Sequence, residues 1–421
     1  MRLPCFAPAL AEIPRARQHG HPDTSPQDRR LRIWPAMTAF PLTRSDALAR
    51  LAQFTPRAGS AYGARRNFVS ADGDHDDVSR LSAALRRRVI AEDEVVRTVL
   101  AAHPFERAEK FIAEVFWRTY WKGWLEARPG LWTQTLGEAA LQQANPAIAR
   151  AASAAIEGRT GIAAFDHWAR ELAETGYLHN WARMQVASIW TFTLGLPWQL
   201  GASWTYDRLI DADPASNTLS WRWVAGLHTA GKAYLADADR IAAMTGNQLH
   251  ASGLASLASI PQDTPLFPRT PLRNPMTPDP ARPTIVLITP EDCSLETELP
   301  AINIRAVATT QNIAFCGADR VAQSDALTRA AAHWQCPAIE NADDLGTLAR
   351  AHGCTQIITG FAPVGPVAAA LSQLAPALGA QGIALAEHQR EWDRLAWPYC
   401  TKGFFQLKTR IPDLLRQQGL A

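Results

Sequence analysis

The residues with the most chemical content lie between positions 157 and 223. After Gly176 the periodicity predicts a helix on which Asn180, Arg183, Met184 and Ala187 share one face. That face offers an amide, a guanidinium and the gap beside a small side chain, a surface suited to something flat and polar. Farther on stand Asp211, Asp213-Pro214 and Asn217, then Trp221-Arg222-Trp223. An Asp ahead of a Pro is also an ordinary helix start, with the carboxylate as N-cap. A second stripe lies upstream. Over residues 104–128 the pattern predicts a helix with Glu114, Trp117, Arg118 and Trp121 on one face. A Glu114–Arg118 salt bridge half-buried under Trp accounts for that stripe as well as a binding role does. Third, a loop predicted over residues 60–82 ends in Ser79-Arg80-Leu81-Ser82 at the threshold of a helix. Hydroxyls and free backbone N–H groups there serve either to bind phosphate or simply to cap the helix.

Positioning these groups takes a helical scaffold. Helical periodicity, with interruptions, runs through residues 44–128. Two more helices are expected over 137–175, the second stopping at Gly176, with further helix within 205–245. Residues 260–283 then carry eight prolines and read as an extended, semi-rigid linker. Beyond it the texture changes. Residues 284–289 and 356–359 read as buried parallel strands, and 383–386 as a weaker one. Ala-rich helical segments at 322–333, 342–352 and 366–379 lie between or beside them. The expected fold class is therefore mainly α: an all-helical domain over 37–259, then a small C-terminal α/β domain over 284–421. Residues 1–36 read as a disordered tail, with Met37 as an alternative start. Residues 390–412 place aromatic residues beside Lys402 and Lys408. Docking on the helical domain and contact with nucleic acid are both open readings of that segment.

Composition excludes several classes. The chain has 421 residues, 47% of them hydrophobic and 19% charged, so it is globular for most of its length. A net charge of +2 confines any nucleic-acid site to a local patch. Six scattered Cys without a C-x-x-C pair fit reduced thiols in a cytoplasmic protein, and no metal site is expected. No apolar run is long enough to span a bilayer. The α/β segment has neither G-x-G-x-x-G nor a phosphate-binding P-loop motif.

Taken together, residues 45–245 resemble the FAD-binding helical domain of the DNA photolyase/cryptochrome family. Val78–Ser82 is similar to its T-S-R-L-S segment, with Tyr62 upstream. Glu114-x-x-Trp117-Arg118 is similar to E-x-x-W-R, and Glu157–Gly161 to E-G-x-T-G. His179-Asn180 with Arg183-Met184 resembles M-H-N-R-x-R-M. The run from Asp211 to Asn217, followed by Trp221-Arg222-Trp223, resembles D-x-D-x-A-x-N and W-Q-W. The resemblance implies FAD in a helical bowl. It implies that Ser79, Leu81 and Ser82 hold the diphosphate, that Tyr62 and Arg118 complete the cofactor site, and that Arg183 pairs with Asp211. Asp211 and Asp213 would lie near N3 and the ring carbonyls, with Asn217 facing N5. An amide there favours the reduced anionic ring, which donates an electron on excitation. Trp117 and Trp223 are implied to flank a flipped-out pyrimidine dimer, with Glu114, Asn180 and Met184 touching it.

This chain departs from the family pattern in places. The family's Trp chain to the surface has matches at Trp221 and Trp198. Its distal position falls near residues 141–145, where no Trp stands, so photoreduction would be slow or would need another exit through Trp190 or Trp204. Val78, Trp181 and Arg222 replace the family's Thr, Arg and Gln, and the segment around Tyr234–Met244 replaces its Y-x-R-x-F-N-P ending. Family members place an antenna-carrying α/β domain first, whereas here the α/β segment follows. The W-P-Y-C-T-K-G-F-F segment is similar to segments of short bacterial photolyase-like proteins, and no antenna is expected. The implied activity is that of a deoxyribodipyrimidine photolyase-like lyase, a light-dependent flavoenzyme splitting cyclobutane pyrimidine dimers. Its partner is DNA carrying such dimers, single strands among the candidates, and a monomer is expected. The alternative is a cryptochrome-like blue-light receptor that binds FAD without repair. A flavin-free nucleic-acid module is the third reading.

Overall fold

The computed structural model describes residues 40–70, 73–229, 231–262 and 268–420. The tail and the alternative start at Met37 lie outside them.

Helices α1 (Arg44–Phe54), α2 (Ser60–Arg65), α3 (Ser82–Arg86), α4 (Glu92–Ala102) and α5 (Phe105–Glu126) open the helical region. Helix α2 lies where the sequence suggested a loop: Tyr62 is buried and packs edge-on against Phe54 and Phe111, so tertiary burial orders the segment. Three helices, not two, follow: α6 (Gly130–Gln143), α7 (Pro146–Ile156) and α8 (Ala163–Thr175). The break between α6 and α7 comes from Asn145, whose Oδ1 accepts from Ala147 N at 3.0 Å, with Pro146 at the first helical position. Gly176, at φ +68°, ends α8 in the left-handed conformation.

Helix α9 (Asn180–Ser188) starts at once, and a π-helical turn over Ile189–Thr193 extends it. Its cap is His179, whose Nδ1 accepts from Trp181 N at 3.1 Å. Burial, then the nearby His75 and Arg183, hold that imidazole down at about 3. It is neutral and able to accept. Helices α10 (Trp198–Arg208), α11 (Pro214–Val224) and α12 (Ala238–Met244) complete the region. Asp213 caps α11, its Oδ1 accepting from Ser216 N at 2.9 Å.

The C-terminal region is a five-stranded, all-parallel sheet in the order β3-β2-β1-β4-β5. The strands are β1 (Thr284–Leu287), β2 (Ile304–Ala308), β3 (Ala338–Ile339), β4 (Gln356–Gly360) and β5 (Ala384–His388). Helices α13 (Gly317–Trp334), α14 (Leu345–Ala351) and α15 (Pro366–Gly379) are its main crossover segments. Short helices α16 (Glu391–Ala396), α17 (Phe404–Lys408) and α18 (Ile411–Gln417) return to the helical region. Trp392 Nε1 donates to Thr119 Oγ1 at 2.8 Å, and Trp397 lies so close over Gly123 that a Cβ there would come within 2.6 Å of the indole.

One hydrophobic core runs through both regions. Three consecutive arginines clamp them together. Arg86 donates to Pro290 O at 2.6 Å and Glu291 at 2.8 Å. Arg87 pairs with Asp319 at 2.8 Å, and Arg88 joins Glu92 at 3.0 Å to Asp393 at 2.6 Å. All three arginines are buried. The proline-rich segment has no helix or strand among its described residues and is tied to both regions: Thr270 N donates to Ala127 O, and Glu387 N donates to Met276 O.

Candidate active site

A cavity of about 450 Å³ opens between α2, α3, α5, α9 and α11. Its depth sorts its residues by character. At the floor, Leu81, Asp211, Asn217 and Trp221 are buried. At the rim, Glu114, Trp117, Met184 and Trp223 are half-buried and Asn180 is exposed.

The floor carries a charge network. Arg183 Nη1 meets Asp211 Oδ2 at 3.1 Å while its Nε donates to Leu178 O at 2.9 Å. Arg118 ion-pairs with Asp213 and lies 3.7 Å from Asp211. Burial raises both carboxyls, but the cations outweigh it. Arg183 and Arg118 hold Asp211 below its ordinary value, and Arg118, Lys122 and Arg86 bring Asp213 to about 2. Between the two acids, Ala212 takes φ +38°, a backbone state rare for a residue with a Cβ. Arg86 donates to its carbonyl at 3.4 Å and to Glu291, so the sheet region holds the acid-bearing turn. Asn217 is fixed from behind: its Nδ2 donates to Ala202 O at 2.7 Å, and its Oδ1 accepts from Thr205 Oγ1 at 2.8 Å.

At the other end, Ser79, Arg80 and Ser82 line the cavity ahead of α3. Arg80 sits at φ +56°. Arg50 from α1 pins this loop, donating to Ser79 O at 2.8 Å and Val78 O at 2.9 Å. Ser82 Oγ, Ser216 Oγ and Arg80 Nε are buried without a partner. Buried polar atoms are rarely left so. Hydroxyls and a guanidinium at one end, with an acid–guanidinium–amide floor at the other, fit a flavin dinucleotide.

At the rim, Glu114 pairs with Arg66, not with Arg118. The Glu114–Arg118 bridge, one of the two readings of this stripe, is absent because Arg118 turns inward to the acids. Burial lifts the Glu114 carboxyl above its ordinary value against the pull of Arg66. Trp117 stacks on Phe404 with centroids 3.8 Å apart, and Trp223 packs against Tyr234 at 5.8 Å.

Behind the floor lies a tryptophan array. Trp221 meets Trp190 edge-on at 6.2 Å, and Trp190 stacks on Trp204 at 5.5 Å. Gly201 makes this possible, since a Cβ there would fall 2.2 Å from the Trp221 ring. Trp198 has no ring contact with Trp221 among the described residues; the Arg222 guanidinium lies 5.4 Å from its centroid.

The structure thus brings Tyr62, Ser79, Leu81, Ser82, Glu114, Trp117, Arg118, Asn180, Arg183, Met184, Asp211, Asn217, Trp221 and Trp223 to one cavity wall. Asp213 and Trp198 stand outside that wall. Asp213 is spent on Arg118 and the α11 cap, as the ordinary reading of Asp-Pro allowed. Sequence reasoning missed Arg50, Arg66, Arg86 and Thr205. Each acts through a contact distant in the chain, which no local spacing signals.

Residues 111–248 match the family model described as the FAD binding domain of DNA photolyase. The chain is similar to a deoxyribodipyrimidine photo-lyase of Escherichia coli, with 30% identity over 46% of this chain and 42% of the relative. It is similar to a cryptochrome DASH of Gloeobacter violaceus, with 47% identity over 17% of this chain and 14% of the relative. Among solved structures, a bacterial class III photolyase from Agrobacterium tumefaciens shows 29% identity and a TM-score of 0.40, covering 48% of this chain and 40% of that one. The chain spans about two fifths of the length of the first of these relatives. No helix among the described residues is long and apolar enough to cross a membrane. Its cofactor is FAD, and the helical region that builds this cavity is similar, over residues 111–248, to the FAD binding domain of DNA photolyase.

Proposed function

We propose that this protein is a light-dependent DNA repair enzyme that splits cyclobutane pyrimidine dimers. The observation that carries this reading is the rim. Above a floor suited to flavin stand two half-buried tryptophans, an amide, a thioether and a Glu114–Arg66 pair. A receptor that only holds flavin has no need of them. The chemistry supplied by the bound, reduced flavin is light-driven donation of one electron. This chain's residues do the rest. Trp117 and Trp223 stack the extruded bases, each stack contributing about 1–3 kcal/mol, and a lesion that already kinks the strand costs less to extrude. Asn180 and Met184 orient the dimer. Glu114 stands at the pyrimidine carbonyls' edge of the site, where the Glu114–Arg66 pair supplies the hydrogen-bonding and cationic groups that meet negative charge as it develops. Asn217, locked by Ala202 and Thr205, presents an amide that supplies no ready proton. Glu114→Ala should lower the repair yield several-fold and leave flavin content unchanged; loss of flavin in this variant would remove Glu114 from the substrate side.

For recharging the flavin we propose the path Trp221, Trp190, Trp204. Trp221 meets Trp190 and Trp190 stacks on Trp204, whereas Trp198 makes no ring contact with Trp221 among the described residues. Trp190→Phe should therefore bring light-driven flavin reduction with an external thiol donor down toward the dark rate. Trp198→Phe should leave it unchanged. The reverse ranking would restore Trp198 as the relay.

A further inference from the structure

The segment Trp397–Lys408 serves the fold through Trp397, Cys400 and Leu407, all buried. Its middle does not. Phe405 is 75% exposed, and Lys402 and Gly403 beside it are exposed too. The segment is held firmly: Tyr120 Oη donates to Lys402 O at 2.6 Å, and Arg128 to Thr401 O at 3.4 Å. The exposed phenyl therefore stands on an anchored ridge. That ridge joins the rim of the cavity directly, because Phe404 stacks on Trp117 with the two rings 16° apart. One face of Trp117 is thereby covered and its orientation fixed.

The charge nearby is positive. Arg128 lies over the Trp124 ring at 3.9 Å. Burial and the neighbouring Arg269 hold its guanidinium below its ordinary value. No carboxylate pairs with Lys402, Arg128 or Arg269 among the described residues. An anchored aromatic ridge among unneutralised cations is the combination by which proteins hold single strands, bases on the rings and phosphates on the cations.

We propose that Lys402–Phe405 is a nucleic-acid contact continuous with the lesion cavity, with Phe405 stacking on the base next to the dimer and Lys402 meeting its phosphate. The assignment rests on the dimer-repair reading in naming the occupant. It adds a second contact area built by the C-terminal region.

The test uses the full-length, flavin-loaded protein in the dark. Binding to a fluorescent oligothymidine with one cyclobutane dimer, and to its undamaged twin, is measured by anisotropy over a range of salt. Phe405→Ala should weaken binding about tenfold, and Lys402→Gln should lower the salt slope by about one. Both residues are exposed, so both variants fold, and unchanged flavin absorbance verifies it. A 2-aminopurine beside the dimer should change emission with wild type and much less with Phe405→Ala. If wild type prefers the dimer and both variants bind as wild type does, the ridge assignment is overturned and dimer recognition stands. If Phe405→Ala weakens damaged and undamaged strands alike while wild type shows no dimer preference, the ridge stands and the dimer reading falls. If wild type binds neither strand, both fall.

Discussion

Arg183→Ala should yield a folded protein without its yellow colour. Asp211 is buried, and its carboxylate stays ionised there because Arg183 and Arg118 outweigh the cost of burial. Arg118 is committed to Asp213 and reaches Asp211 only at 3.7 Å. Truncating Arg183 leaves a buried charge without its main partner, an effect of about 2–5 kcal/mol when a ligand site is concerned. Flavin affinity should fall by at least about thirtyfold. Asp211→Ala should act alike by releasing Arg183. The measurement is the flavin-to-protein absorbance ratio after gel filtration. Stoichiometric flavin in both variants would take the pair out of the cofactor site. The sign of the pH dependence follows from the same network. Both acids titrate below their unfolded values, so their contribution is complete above about pH 4 and fades as pH falls toward about 2. Flavin retention in the wild type should be flat across neutral pH.

Arg88→Ala should destabilise the whole chain. Arg88 is buried between Glu92 and Asp393, acids from the two regions. Removing it leaves two carboxylates in the interior facing each other, and breaking such a pair costs about 3–5 kcal/mol. That is a large part of the roughly 5–15 kcal/mol that holds a domain together. Urea unfolding should show the midpoint falling sharply, with Asp393→Asn in the same chain recovering part of it. Wild-type stability in Arg88→Ala would mean that the two regions do not depend on this clamp.

The site was legible where its chemistry repeats at short spacing. The α5 stripe from Glu114 to Trp121 and the α9 face from Asn180 to Ala187 follow helical periodicity, and both line the cavity. The resemblance supplied the role of each position. What sequence left dark depends on distant partners. Nothing in the local spacing of Arg86, Arg87 and Arg88 signals their roles, and each is buried against an acid more than two hundred residues away. The pairing of Glu114 with Arg66 is of the same kind. Strand β3 went unseen because it lasts two residues, and β2 because it opens on half-buried Ile304 and exposed Arg305 before its buried end, the two pairing at Val307–Ala338 and Ala308–Ile339. The proline-rich stretch suggested a boundary, and its sequence gives no sign that a shared core spans it. The substitutions of Trp181 and Arg222 also make sense only in three dimensions. Trp181 fills the core edge-on to Trp168, and Arg222 is buried over Trp198.

The measurement that bears most directly on the central claim is repair itself. Dithionite-reduced protein is mixed with dimer-containing oligothymidine and illuminated with near-ultraviolet light, and the return of thymine absorbance is followed against a dark control. The account predicts recovery in the light and none in the dark, on single strands first, with duplex as the comparison. No recovery from protein with bound and reduced flavin would contradict it, and would leave a flavin photoreceptor or a different lesion as the function of this site.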